Sequence, residues 1–122
     1  MKFPKGKYYI GDLCYVLTKR EWGKVCEFND DNGFLNLGKK QIWLSGTKDG
    51  DGIYKCGETD ISVDSGTIGI ISIDFLSKKT IKAVQSNNLG LITYIEQDFE
   101  PSEHTGVFLF GALKIDTGDV DD

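Results

Sequence analysis

Apolar positions along the chain fall in short clusters separated by glycine and charge, and the spacing inside each cluster predicts its conformation. Tyr8-Tyr9-Ile10 runs into a Gly11-Asp12 turn, and Leu13 to Leu17 is a continuous apolar run between turn and cap residues; both read as strand. Thr18 and Glu21 have the spacing of a capping box, and Trp22, Val25 and Cys26 then share one face, which predicts a short helix over about 18–27. Asn29 to Gly33 is a turn signal ahead of a hairpin pattern, Phe34 to Leu37 and Gln41 to Leu44. Beyond the glycine-rich turn at 47–52, Ile53 to Cys56 and Ile61 to Val63 form two more short strands. The β-branched run from Ile68 to Ile73 reads as the central strand. A second helix, capped by Asp74 or Ser77, carries Phe75, Leu76, Ile81 and Val84 and ends at Asn87-Asn88 and Gly90. Leu91 to Ile95, Val107 to Phe110 and Ala112 to Ile115 complete the strands, with an acidic loop at 96–103.

Hairpin-length joins without parallel βαβ alternation predict an α+β fold, mainly β, with about eight short antiparallel strands in a sheet or small open barrel and two short helices. Both prolines, Pro4 and Pro101, lie outside the proposed strands, as proline's missing N–H requires. A length of 122 residues fits one globular domain, taken as 1–115, followed by an acidic tail at 116–122. No apolar run approaches the ~20 residues of a membrane helix, and the lysine-containing N-terminus lacks the apolar segment of a signal peptide, so a cytoplasmic protein without membrane contact is expected.

The formal charge of −5 is unevenly spread: residues 1–60 carry a net +1 and residues 61–122 a net −6. Only Lys39-Lys40 and Lys78-Lys79 with Lys82 approach the basic stripe that phosphate-backbone binding needs, which argues against a nucleic-acid partner. Cys14, Cys26 and Cys56 form an odd set without a Cys-x-x-Cys pair, so reduced thiols are expected, and neither a metal site nor a cofactor.

Val63-Asp64-Ser65-Gly66-Thr67, with a weaker echo at Ile115-Asp116-Thr117-Gly118, matches the Asp-Ser/Thr-Gly loop of aspartic proteases, whose chemistry needs two such carboxylates sharing a proton. The same residues make an ordinary turn, since Asp and Ser bond the local backbone and Gly accepts positive φ. An aspartic-type hydrolase using Asp64 is therefore the weakest of three functional expectations. Asp49-Gly50-Asp51-Gly52 fails the calcium-loop pattern, because Ile53 and Tyr54 stand where a ligand and the obligatory glycine belong. There is no phosphate-binding glycine loop, serine elbow or His-Glu-x-x-His, and one histidine leaves little for acid–base work, so no catalytic residue is assigned.

Tyr9 to Leu17, Trp22, Gly50 to Tyr54 and Val63 to Gly69, taken in order, resemble small uncharacterised proteins common in tailed bacteriophage genomes and some bacteria. Those proteins carry Tyr-x-Ile-Gly-Asp-Pro-Cys-Tyr, a helix Trp, Gly-Asp-Gly-x-Tyr and Val-Asp-Ser-Gly; here Leu13 replaces the proline. The resemblance spans about residues 7–73 and implies a phage-type accessory protein, with no activity and no catalytic residue to transfer.

The leading expectation is a non-catalytic accessory protein that binds a host or defence protein in the bacterial cytoplasm through an acidic surface: Asp98, Phe99, Glu100 and Glu103, joined by the tail. The alternative is a small β-barrel binding a small molecule or nucleotide signal, with Asp12, Asp51, Tyr54, Asp64 and Ser65 converging at one rim.

Overall fold

A computed structural model describes residues 2–27 and 33–118. Its strands are β1 (Gly6–Gly11), β2 (Phe34–Leu37), β3 (Lys40–Gly46), β4 (Gly52–Cys56), β5 (Thr59–Val63), β6 (Thr67–Ser72), β7 (Gly90–Ile95), β8 (Ser102–His104), β9 (Val107–Phe110) and β10 (Leu113–Asp116). The helices are α1 (Lys19–Glu27) and α2 (Lys78–Asn87), with single 3₁₀ turns at Leu13–Tyr15 and Ile73–Phe75. All pairings are antiparallel, in a five-stranded sheet ordered β2-β3-β6-β1-β7, a three-stranded sheet β10-β9-β8 and the hairpin β4-β5. The mainly-β, antiparallel expectation with two helices is met, and among the described residues there are ten strands rather than about eight, in three sheets that do not close into a barrel.

The large sheet is buried on both faces because its strands alternate two apolar sets. Tyr9, Ile42 and Ile71 point toward the helices and pack with Leu13, Val16, Leu17, Val25, Leu37 and Val84. Tyr8, Ile10, Trp43, Ile68 and Ile70 point the other way, onto Tyr54, Ile61 and Val63 of the hairpin and Phe108, Phe110 and Ile115 of the small sheet. Each large apolar side chain buried this way contributes about 1.5–3 kcal/mol, so the two-sided burial of β6 and β1 makes them the spine of the fold. The Ile68 to Ser72 part of the predicted run is the central strand, flanked by β3 and β1, while Ile73 opens the 3₁₀ turn that follows.

Helix α1 opens with the expected capping box: the Glu21 N–H donates to Thr18 Oγ1 (3.1 Å) and the Thr18 N–H to Glu21 Oε1 (3.0 Å). Ser77, not Asp74, caps α2, its hydroxyl accepting the Thr80 N–H at 3.1 Å. Phe75 and Leu76 therefore precede α2 instead of lying on it. Asn88 closes α2 in the left-handed region at φ 52°.

Two expectations are corrected. Leu13 to Leu17 is a turn rather than a strand: the Val16 and Leu17 N–H groups both donate to the Leu13 carbonyl (3.1 and 3.0 Å), and Leu13, Val16 and Leu17 enter one core cluster. Their i, i+3, i+4 spacing puts all three on one side, which alternation along a strand would not do. The acidic loop at 96–103 also gives up its end to β8. Asp116 belongs to β10 and Thr117 is fully buried. Residues 119–122 of the expected tail, and most of the 29–33 turn, lie outside the described residues.

Candidate functional site

Two regions bring together the residues singled out by sequence. The first lies where β1 ends and β6 begins. Gly11 and Gly90 are register partners at the ends of β1 and β7, and a Cβ on Gly90 would stand 2.6 Å from the Tyr9 ring and 2.9 Å from the Ile10 carbonyl. The space without those side chains lets the Tyr9 phenol cross the strands and reach the Asp12 and Leu89 carbonyl oxygens (2.9 and 2.8 Å). Burial, with the neighbouring Asp12 carboxylate, holds that phenol well above its ordinary pKa, so it stays a neutral donor.

Asp12 is the centre of this region. It is 0% exposed, and its carboxylate accepts four hydrogen bonds. Oδ1 takes the Cys14 N–H (3.0 Å) and the Ser65 hydroxyl (2.8 Å); Oδ2 takes the Asp64 and Ser65 N–H groups (2.8 and 2.7 Å). A buried carboxylate is tolerated when donors surround it, and here the donors come from two turns about fifty residues apart in sequence. The carboxylate therefore staples the Asp12–Tyr15 turn to the Asp64–Thr67 turn. Around it, the Ser65 and Thr67 hydroxyls are 2.7 Å apart, and the Tyr15 hydroxyl donates to Asp64 Oδ2 at 2.6 Å.

These groups are engaged with one another within the fold. The Ser65 hydroxyl donates to a carboxylate that also accepts three backbone N–H groups. The Cys14 thiol is pushed up to about 12, first by burial and then by its hydrogen bond to Asp12 and the charges of Asp12, Asp64 and Asp51, which suppresses the nucleophilic thiolate. The two Asp-Ser/Thr-Gly loops each serve their own turn. Asp64 is engaged by Tyr15, while Asp116 Oδ1 accepts the Gly118 N–H at 2.9 Å. Residues 47–48 bridge the loops, the Thr47 N–H donating to the Gly66 carbonyl (2.9 Å) and the Lys48 N–H to Thr117 Oγ1 (3.1 Å). A hydrolase needs the two carboxylates to share a proton, and these have separate partners.

Of the five residues expected at a ligand rim, Asp12, Ser65 and Asp64 do meet, and Asp51 comes near them, its Oδ1 3.8 Å from where a Cβ on Gly66 would stand. Tyr54 does not join them: its ring is buried in the core and its hydroxyl donates to the Gly50 carbonyl at 2.8 Å, closing the 47–52 turn from inside. Among the described residues no group of three or more His, Cys, Asp or Glu side chains is arranged to hold a metal ion.

The second region is the far end of the same two strands, where β7 leaves the sheet. A groove of about 390 Å³ runs between residues 93–98 and the β9–β10 turn at 110–113. Ile95, Phe110, Ala112 and Leu113 supply apolar wall, Glu96 and Asp98 supply charge, and Tyr94 is 56% exposed beside it. The N-terminal segment ties this region down: Phe3 and Phe99 exchange two backbone hydrogen bonds (2.8 and 2.9 Å), and the Lys5 N–H donates to Asp98 Oδ1 (2.9 Å).

Of the four residues expected to contact a partner, Asp98 and Glu100 are exposed at this end. Phe99 is a correction: it is 5% exposed, stacked on Phe3 with ring centroids 5.7 Å apart and edge-on to Tyr8 at 5.2 Å, which makes it core rather than anchor. Glu103 is likewise spent internally, Oε1 accepting the Ser45 hydroxyl (2.8 Å) and Oε2 the Gly106 N–H (2.8 Å). The aromatic ring offered to solvent here is Tyr94, which the sequence pattern places on a strand without singling it out. Its register partner on β1 is the exposed Lys7.

Among the described residues no helix is long and apolar enough to cross a membrane. Searched against family models, curated proteins and solved structures, the chain matches none of them.

Proposed function

We propose that this is a non-catalytic binding protein that docks another protein on the acidic end of β7, through Tyr94, Glu96, Asp98 and Glu100. The observation that carries the reading is the groove beside Tyr94: an apolar trough with an exposed aromatic ring and carboxylates on its wall combines the features of a protein-binding anchor. The internal hydrogen bonding of Asp12, Ser65 and Asp64 favours it over an enzymatic or small-ligand role, since those groups are already engaged. The ordered motifs of the N-terminal half support a phage-type accessory setting, in which the partner is a host or defence protein of the bacterial cytoplasm.

The test is a paired capture experiment, with tagged wild type and a Tyr94→Ser/Glu96→Lys variant incubated in bacterial lysate. The captured protein is then purified and titrated against both chains. A stoichiometric partner whose affinity falls at least about tenfold in the variant, a change of about 1.4 kcal/mol, supports the surface. A partner bound equally by both chains moves the interface elsewhere.

A further inference from the structure

We propose that the groove between 93–98 and 110–113 seats an arginine side chain of the partner, its apolar stem along the trough and its guanidinium at Glu96 and Asp98. This names the anchor for the surface reading above and rests on it. The walls of the groove are set by the fold. Gly111 holds the β9–β10 turn in the left-handed region at φ 66°, and the turn comes so close to the end of β7 that a Cβ there would stand 3.3 Å from Ile95 Cγ2 and 3.6 Å from Phe99 Cβ. Ile95 and Phe110 are themselves core residues, so a side chain entering the groove meets apolar surface that is already packed in place. At about 390 Å³ the space lies at the small end of ligand-sized cavities, which suits one long side chain better than a bulkier group.

Charge and shape select the occupant. The ten residues lining the groove include Glu96 and Asp98 and no lysine or arginine. Tyr94 and Glu96 are both exposed, with the buried Ile95 between them, and Asp98 is held through one oxygen by the Lys5 N–H at 2.9 Å. A guanidinium suits this mixture of apolar wall, ring and carboxylates: it is planar, weakly hydrated and able to divide its donors between two acids, whereas the compact ammonium of lysine holds its water more tightly. Lys7 stands opposite Tyr94 on β1, so the cation belongs at the Glu96 and Asp98 end and the stem passes Tyr94. Two occupants from this chain fit poorly. Residues 119–122 contain three aspartates and no cation. The chain's single arginine, Arg20, lies on α1 between Lys19 and Glu21 with Lys24 one turn on, so it lacks the apolar flanks that would cover the trough as its stem entered.

The experiment titrates the isotope-labelled full chain with the peptide acetyl-Gly-Leu-Arg-Leu-Gly-amide, and with versions carrying lysine or citrulline at the centre, binding being read from backbone amide shifts. Expected are saturable shifts confined to 93–98 and 110–113, and binding at least about threefold weaker for the lysine and citrulline peptides and for the arginine peptide on a Glu96→Gln chain. An Ala112→Trp chain, its trough filled, should lose the shifts while keeping the amide spectrum of its core. Lysine binding as tightly as arginine overturns the arginine anchor, and so does equal binding of all three peptides. Absence of shifts with the arginine peptide, while the captured partner still depends on Tyr94 and Glu96, overturns the anchor and leaves the surface reading standing. Free arginine bound more tightly than the peptide assigns the groove to a small molecule and overturns the partner segment. Self-association in sedimentation that is lost in an Arg20→Ala chain assigns it to a second copy, with the same consequence.

Discussion

Asp12 and Glu96 each follow directly after a strand, the first after β1 and the second after β7, and because those strands are antiparallel neighbours the two carboxylates stand at opposite ends of one ladder. Asp12 is fully buried and accepts four hydrogen bonds from two turns; Glu96 is exposed on the wall of an apolar groove. The difference lies in what surrounds each group. At Asp12 two turns, 12–15 and 64–67, bring backbone N–H groups close enough to supply fixed donors, so the charge works within the fold. At Glu96 the sheet ends and the 110–113 turn stands across the groove, so the charge faces solvent. In this protein the residues most suggestive of chemistry hold the chain together.

The comparison breaks most visibly at Asp12. Replacing it with alanine leaves three N–H groups and a hydroxyl without their acceptor, and about 3 kcal/mol or more of stability is expected to go, read as a lower urea midpoint. A shift below about 0.5 kcal/mol would show that water replaces the carboxylate freely and that the staple is not structural. Gly90→Ala forces a methyl against the Tyr9 ring and the Ile10 carbonyl, and about 1–3 kcal/mol is expected to be lost in the same assay. Tyr9→Phe removes only the hydroxyl shared between the Asp12 and Leu89 carbonyls, at an expected cost of about 1 kcal/mol.

Glu21 stands between the two extremes, half-buried and paired with Lys40 at 2.8 Å. Burial pushes its carboxyl upward, but the Lys40 ammonium and the Thr18 donors outweigh that, and its folded pKa lies below the usual glutamate value of 4.5. A depressed carboxyl contributes stability that is present above the unfolded pKa and is lost as pH falls through the folded one. Wild type is therefore expected to lose stability below about pH 4.5 more steeply than a Lys40→Met chain, measured by urea titrations at successive pH values. Parallel pH profiles would remove the ion pair from the account. The smallest effect belongs to the groove: Glu96→Lys should leave stability within about 0.5 kcal/mol of wild type while weakening partner binding. A large loss of stability there would mean that the acidic edge, like Asp12, serves the fold.

Much of the architecture was legible along the chain. The capping box at Thr18 and Glu21, the Ile68 to Ile73 central strand and the antiparallel hairpins follow from local rules of spacing, capping and β-branching, which neighbours in sequence are enough to satisfy. Leu13 to Leu17 shows where those rules divide, because a continuous apolar run suits a buried strand or a buried turn equally. The Asp12 carboxylate decides between them by taking the Cys14 N–H, and its remaining lone pairs are filled by a turn about fifty residues away that no local pattern announces.

The candidate surface depended still more on tertiary contacts. Sequence correctly placed Asp98 and Glu100 in an acidic segment, but only the Phe3–Phe99 pairing turned the intervening aromatic ring inward, and only the end of the sheet at β7 left Tyr94 uncovered. The sequence by itself determined the class of fold, the capping box of α1, most of its hairpin turns and the acidic character of its second half, because these depend on residues close together in the chain. Which carboxylates are buried and which face solvent was decided by the tertiary structure, since a carboxylate's role is set by the donors and the solvent that distant segments bring to it.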